Sequence, residues 1–246
     1  MQREAVPASS AAEAWAPDDG VEERSDQFRP MRPAPELLEA ARRHRPRTYE
    51  GMLKPAMDRA GAAFLLVLFS PLLMLTALLV LVSMGPPVVI RQERVGRHGQ
   101  LFKVCKFRTM AQDQRREALP YVGPERRIAH KRDDDPRHTV VGRFLRKWSL
   151  DELLQLWNVL AGEMSMIGPR PELVSVVTNK YEDWQHLRHK VKPGITGLWQ
   201  VREHRDGNMW RHTDIDLLYV TRLSWEQDLH ILLATPGAVL WKRKGS

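Results

Sequence analysis

The chain has 246 residues, with 38 lysines and arginines against 30 aspartates and glutamates. That length allows one or two domains, and the basic excess favours anionic partners such as phosphorylated substrates, anionic lipid or nucleic acid. Its single cysteine, Cys105, excludes an internal disulfide framework and reads as a small apolar strand residue.

Up to about Pro35 the chain is rich in Ala, Pro, Ser and acidic residues, with no apolar stretch ahead of a cleavage site. This predicts a mobile tail and no secretory signal peptide. Glu36–Arg47 suits either a short basic amphipathic helix near a membrane or a solvated charge run, and the tail, disordered or partly helical, is assigned residues 1–50.

Gly61–Met84 follows without one charged side chain and is broken near its middle by Ser70-Pro71. As one helix it would be about 36 Å long, enough for a hydrocarbon core of about 30 Å. The proline removes a backbone donor and bends a helix, and a serine can re-satisfy the freed groups, so a bend is expected at Ser70 and Pro71. A sharp bend leaves arms of about 15 to 20 Å, too short to cross. Lys54 and Arg59 precede the segment, and Arg91, Arg94 and Arg97 follow it. Two basic flanks favour a re-entrant hairpin over residues 51–85, with a kinked span or a buried core helix as the alternatives. No second long apolar run exists, which excludes a multi-pass transporter.

Residues 86–246 read as one domain behind this segment. PVVIRQERVG, RHGQ and LFKVCKFRTM predict a β-hairpin that buries Val88, Ile90, Val104 and Phe107 and offers Lys106 and Arg108 as cations. Ala111–Asp135 reads as a long charged connection. In VGRFLRKWSLDELLQLWNVL, Ser149 and Glu152 make a capping-box signature, and Leu150, Leu153, Leu154, Trp157 and Leu160 form an apolar helical face.

First-turn acids cap helices, so capping alone accounts for Asp151 and Glu152. The same position suits chemistry: a helix N-terminus keeps Asp151 ionised, the adjacent carboxylate can hold a divalent cation, and Arg143 and Arg146 upstream attract phosphate. GPRPE presents Arg170 between Pro169 and Pro171 as a rigid turn. Glu172–Lys190 reads as a helix with Trp184 either interfacial or in the core, and the last helical pattern breaks at Pro236. His186, His189, His204, His212 and His230 lack metal-ligand spacing and receive no catalytic role.

The apolar segment broken at Ser70-Pro71, then RQERVG, KFRTM, DPRHTVVGRFLRKWSLDELLQLWNVL, GEMSMIGPRPE and KPGITGLWQV, in this order, resembles the bacterial sugar transferases, the monotopic phosphoglycosyl transferases, over roughly Lys54 to Trp241. The resemblance implies an α/β, helix-rich fold with a small sheet, a re-entrant hairpin and interfacial amphipathic helices, and it alone makes residues 86–246 a cytosolic catalytic domain. It implies transfer of a sugar phosphate from a UDP-sugar to polyprenyl (undecaprenyl) phosphate, releasing UMP, at the cytoplasmic face of a bacterial inner membrane. On matching residues, Asp151 is the nucleophile, Glu152 binds Mg²⁺, Pro169, Arg170 and Pro171 bind the nucleotide, and Lys106, Arg108, Arg143 and Arg146 contact phosphate. Leu154 and Glu163 depart from the family's usual proline and aspartate without touching the dyad. A homodimer stays open, as does a rival reading, a membrane-tethered basic binding or scaffold protein. No nucleic-acid motif is visible, and nucleic acid is not among the expected partners.

Overall fold

A computed structural model describes residues 30–110, 139–202 and 209–242, with side chains through residue 239. The expectations for the first 29 residues, for the connection over 111–135 and for His204 lie outside the described residues.

Helix α1 (Pro35–Arg43) opens the described chain, with proline in its first turn, where a missing N–H costs nothing. A helix forms here in place of a solvated charge run. Ala41 is fully buried with Trp184 and Leu217, and Leu37 and Leu38 pack on the same cluster, so its apolar face is covered by protein. Trp184 thereby belongs to the core and not to an interface.

A π-helical turn (Tyr49–Leu53) leads into α2 (Lys54–Leu68), and α3 (Ser70–Met84) follows after a single residue. The break lies at the expected place, and the two parts are bent by 64°. Phe69 leaves helical geometry at ψ 5°, Pro71 stands in the first turn of α3, and Ser70 Oγ donates to Val67 O at 2.8 Å. The serine thus satisfies one carbonyl at the end of α2. No single described helix is long and apolar enough to cross a membrane, whereas the bent pair together has the length and composition. Ala62 and Val80 face inward, while Phe64, Val67, Met74, Leu75, Leu78 and Val82 lie exposed.

Strands β1 (Val89–Val95) and β2 (Leu101–Phe107) form the expected antiparallel hairpin. Val104 and Phe107 are buried, but Ile90 is exposed, because the face it shares is covered over only part of its length. After α4 (Val140–Lys147), a 3-10 turn (Leu150–Glu152) precedes α5 (Gln155–Ala161). The expected capping box at Ser149 is absent: this residue has φ 55°, makes no side-chain cap, and the long helix begins later. The Glu152 carboxylate bonds Lys106 and Arg170 instead of turning back to the Ser149 N–H. Thr139 is the working cap, accepting from Gly142 N at 2.9 Å. Trp157 is exposed on α5, where Leu156 and Val159 are the buried pair.

The short strands β3 (Ser165–Ile167), β4 (Glu172–Leu173) and β5 (Gly194–Thr196) complete two sheets, a three-stranded one in the order β2-β1-β4 and a parallel pair of β3 and β5. Glu172–Lys190 is not one helix: β4 is followed by α6 (Val174–Lys180) and, past extended Tyr181 and Glu182, a 3-10 helix (Asp183–Lys190). A true capping box between Glu182 and Gln185 restarts the chain there. Helices α7 (Leu198–Arg202), α8 (Thr213–Arg222) and α9 (Trp225–Lys242) follow. Pro236 lies within α9 and does not end it, and the neighbouring Thr235 hydroxyl donates to Ile231 O at 2.7 Å. The result is a helix-rich α/β fold with small sheets, as expected.

Candidate active site

Strand β2 delivers Lys106, the 3-10 turn before α5 delivers Asp151 and Glu152, and the turn after β3 delivers Arg170. These meet in one cluster. Lys106 Nζ donates to Glu152 Oε1 at 2.8 Å, while Arg170 Nη2 donates to Oε1 at 2.5 Å and Nη1 to Oε2 at 3.1 Å. A two-pronged guanidinium on a carboxylate is directional as well as strong. Burial alone would raise the Glu152 carboxyl, but the Arg170 and Lys106 cations outweigh it and hold it well below its ordinary value. Glu152 in turn raises Arg170. Burial pushes the Lys106 ammonium down, with Glu152 opposing. Asp151, half-buried in the same turn, lies near enough to raise both cations further.

Lys106 is placed by a side chain that sequence reasoning missed. Asn158 on α5 accepts from Cys105 N–H at 3.0 Å and donates to Lys103 O at 2.9 Å and to Glu163 at 2.6 Å. Its amide thus occupies the free edge of β2 like a neighbouring strand and fixes the residue just before Lys106. An asparagine inside a helical pattern carries no sequence signal for this role.

Arg108 is placed elsewhere. It is 6% exposed, and its guanidinium donates to Met84 O and Gly85 O at 2.5 Å and to Pro86 O at 3.2 Å. These are the carbonyls at the end of α3, so the side chain caps that helix and is not brought to the dyad. Arg143 and Arg146 stand one turn apart on α4, immediately before the dyad turn, with Arg143 exposed and Arg146 half-buried.

The Pro169–Arg170–Pro171 loop rests on β5. A Cβ at Gly194 would lie 2.1 Å from Gly168 N, so only glycine permits this approach, and Gly194 N–H donates to Pro169 O at 2.9 Å. Behind the loop, a water-sized cavity of about 10 Å³ is lined in part by Gly96, Arg170, Arg188 and His189. Burial, with Arg188 and His186 adding to it, pushes the His189 imidazole down to about 3. Arg188 and Asp216 pair at 2.8 Å, both buried, and this ion pair was not legible in the sequence.

Glu152 and Asp151 are hard oxygen donors, the type Mg²⁺ prefers, but among the described residues no group of three or more His, Cys, Asp or Glu comes together to hold a metal. Both Glu152 oxygens accept from Lys106 and Arg170, so Glu152 could take a Mg²⁺ ion only by giving up one of these bonds.

Glu152 clamped by Lys106 and Arg170, with Asp151 in the same turn, makes a charged cluster of the kind that handles phosphorylated groups. The bacterial sugar transferase family matches residues 49–242, and the chain belongs to it. It is 41% identical over 199 residues to the exopolysaccharide production protein ExoY of Rhizobium meliloti (strain 1021), covering 78% of this chain and 88% of that protein. It is 39% identical over 200 residues to the UDP-galactose-lipid carrier transferase of Erwinia amylovora and 40% identical over 200 residues to the undecaprenyl-phosphate galactose phosphotransferase of Salmonella typhimurium (strain LT2). Each of these two alignments covers 79% of this chain but only 41% of the longer relative.

Proposed function

We propose that this chain moves a sugar 1-phosphate from a UDP-sugar to undecaprenyl phosphate, releases UMP, and so begins a lipid-linked glycan such as an exopolysaccharide. The carrying observation is the convergence of Lys106 and Arg170 on Glu152 with Asp151 in the same turn. Relatives whose names specify undecaprenyl phosphate support the acceptor.

Ionised Asp151 attacks the phosphorus that carries the sugar. A carboxylate oxygen–phosphorus bond forms, the bond to the bridging oxygen breaks, and UMP leaves with that electron pair. An oxygen of undecaprenyl phosphate then attacks the same phosphorus and Asp151 departs as carboxylate. Splitting the transfer this way lets one set of cations serve two displacements between anions. Arg170, with Pro169 and Pro171, binds the nucleotide diphosphate, and Lys106, Arg143 and Arg146 lower the repulsion between Asp151 and phosphate. Mg²⁺, were Glu152 to exchange one of its bonds to Lys106 or Arg170 for the ion, would supply Lewis-acid neutralisation of the diphosphate.

The bent pair α2–α3 dips into the cytoplasmic leaflet of the inner membrane and returns, holding the site at the level of the acceptor's phosphate. At about 22 Å each, the arms are shorter than the hydrocarbon core.

Incubation with donor alone tests the chemistry. One equivalent of UMP and a sugar-phosphate mass adduct on the peptide containing Asp151 are expected, and D151N should give neither while staying membrane-bound. UMP that appears only after acceptor is added would overturn the covalent route. Cysteine labelling in intact cells tests the topology: sites before α2 and after α3 reached from opposite sides of the membrane would overturn the hairpin.

A further inference from the structure

The Pro169–Arg170–Pro171 loop is held through its oxygens, since a proline has no N–H to donate. Three consecutive carbonyls each have a donor from a different part of the chain. Gly194 N–H reaches Pro169 O at 2.9 Å, Arg188 Nη2 reaches Arg170 O at 2.6 Å and Arg94 Nη1 reaches Pro171 O at 3.3 Å. The middle one belongs to the residue whose guanidinium engages Glu152.

Arg188 is 2% exposed, forms an ion pair with Asp216 Oδ2 at 2.8 Å and donates from Nη1 to the Tyr181 hydroxyl. A charge buried to this degree is tolerated only with a partner, and Asp216, delivered by α8, is 2% exposed as well. One planar fork thus reaches a phenol from one nitrogen and a backbone carbonyl and a carboxylate from the other, a spread that the single nitrogen of a lysine does not match. The following proline biases Arg170 to extended backbone, and pinning its carbonyl then fixes where its side chain leaves the main chain.

We propose that Arg188, locked in place by Asp216, is the positioning residue for Arg170: by holding the Arg170 carbonyl it sets the direction in which the Arg170 guanidinium meets Glu152 and the nucleotide. This rests on the reading of Arg170 as a donor-binding residue.

A double-mutant cycle on the full chain in lipid nanodiscs tests it, with kcat/KM for the UDP-sugar read from UMP release and folding followed by thermal melting. R188K keeps the charge beside Asp216 but loses the fork. In the wild-type background it should lower kcat/KM by about 10- to 100-fold, the scale of a misplacement near 1 Å. In the R170A background the same change should cost less than about twofold, because the residue it acts through is gone. Equal losses in both backgrounds, or no loss in the wild type, would overturn the positioning role while leaving Arg170 as a donor contact. An R170A variant with unchanged kcat/KM would instead remove the donor-binding reading of Arg170, and the positioning role with it. Should R188K fail to fold, R188Q/D216N, which leaves no unpaired buried charge, enters the same comparison.

Discussion

Replacing Arg108 by methionine separates two uses of one cation. The KFRTM motif predicts a phosphate contact, whereas the guanidinium lies against the last carbonyls of α3. Methionine keeps much of the stem packing and removes the three donations. Hydrogen bonds to a charged group contribute about 1.5 to 3 kcal/mol each. The two to Met84 O and Gly85 O, on half-buried residues, count most, while exposed Pro86 can turn to water. The expected loss is about 3 to 4 kcal/mol, which for a chain of this size lowers Tm by about 10 °C. R108K, which retains charge but not the fork, should recover about half of that. Thermal melting in nanodiscs, paired with donor KM from UMP release, reads both quantities. A helix cap lowers Tm and leaves donor KM within about twofold; a tenfold rise in donor KM with an unchanged Tm would refute the reasoning.

The Glu152 cluster makes an acid-side prediction. Because the folded carboxyl is held below 4.5, its contribution to stability is complete above pH 4.5 and is lost as pH falls through the folded value. The Tm advantage of wild type over E152Q should therefore shrink on acidification from pH 4.5 downward, and an advantage constant to pH 3 would contradict it. At the other end of the fold, Asp228 is 3% exposed and accepts from Lys54 at 2.7 Å and from Tyr49 and Tyr219 at 2.8 Å. D228N leaves Lys54 only the longer ion pair with Asp58, at 3.7 Å, and should cost about 1 to 3 kcal/mol, seen as a lower Tm, with donor KM unchanged for the folded fraction.

What could be read from the sequence was what local chemistry forces. Ser70-Pro71 breaks the apolar run because a proline cannot donate and a serine can substitute, and the bend lies there. KFRTM, the Asp151-Glu152 pair and GPRPE each had a plain local reading, as strand, helix-capping acids and turn, and stood out only by their order, and three of their side chains do converge. The capping box at Ser149 failed for a physical reason: the local bond from Glu152 to a backbone N–H competes with two cations that arrive from distant strands, and the cations win. Arg188 with Asp216, and Asn158 on the edge of β2, could not be read in advance, because each role depends on which remote backbone atom stands opposite. Trp184 was ambiguous in the sequence because an indole suits an interface as well as a core, and the packing of α1 decided it.

Both arms of the bent helix pair are tied to the segments that carry the site's cations. From α2, the buried Asp58 accepts from Ser165 Oγ at 2.7 Å and Met166 N–H at 3.1 Å, which fixes β3, and Tyr219 OH adds a bond to Ile167 O at 3.0 Å. Arg170 lies three residues beyond the end of β3. The end of α3 is held by Arg108, two residues beyond Lys106. The two helices and the segments that carry Lys106 and Arg170 are thus joined by direct hydrogen bonds. An apolar segment serving only as a tether would need no buried aspartate reaching into β3 and no arginine capping its far end. Their presence makes the bent pair a structural member of the site.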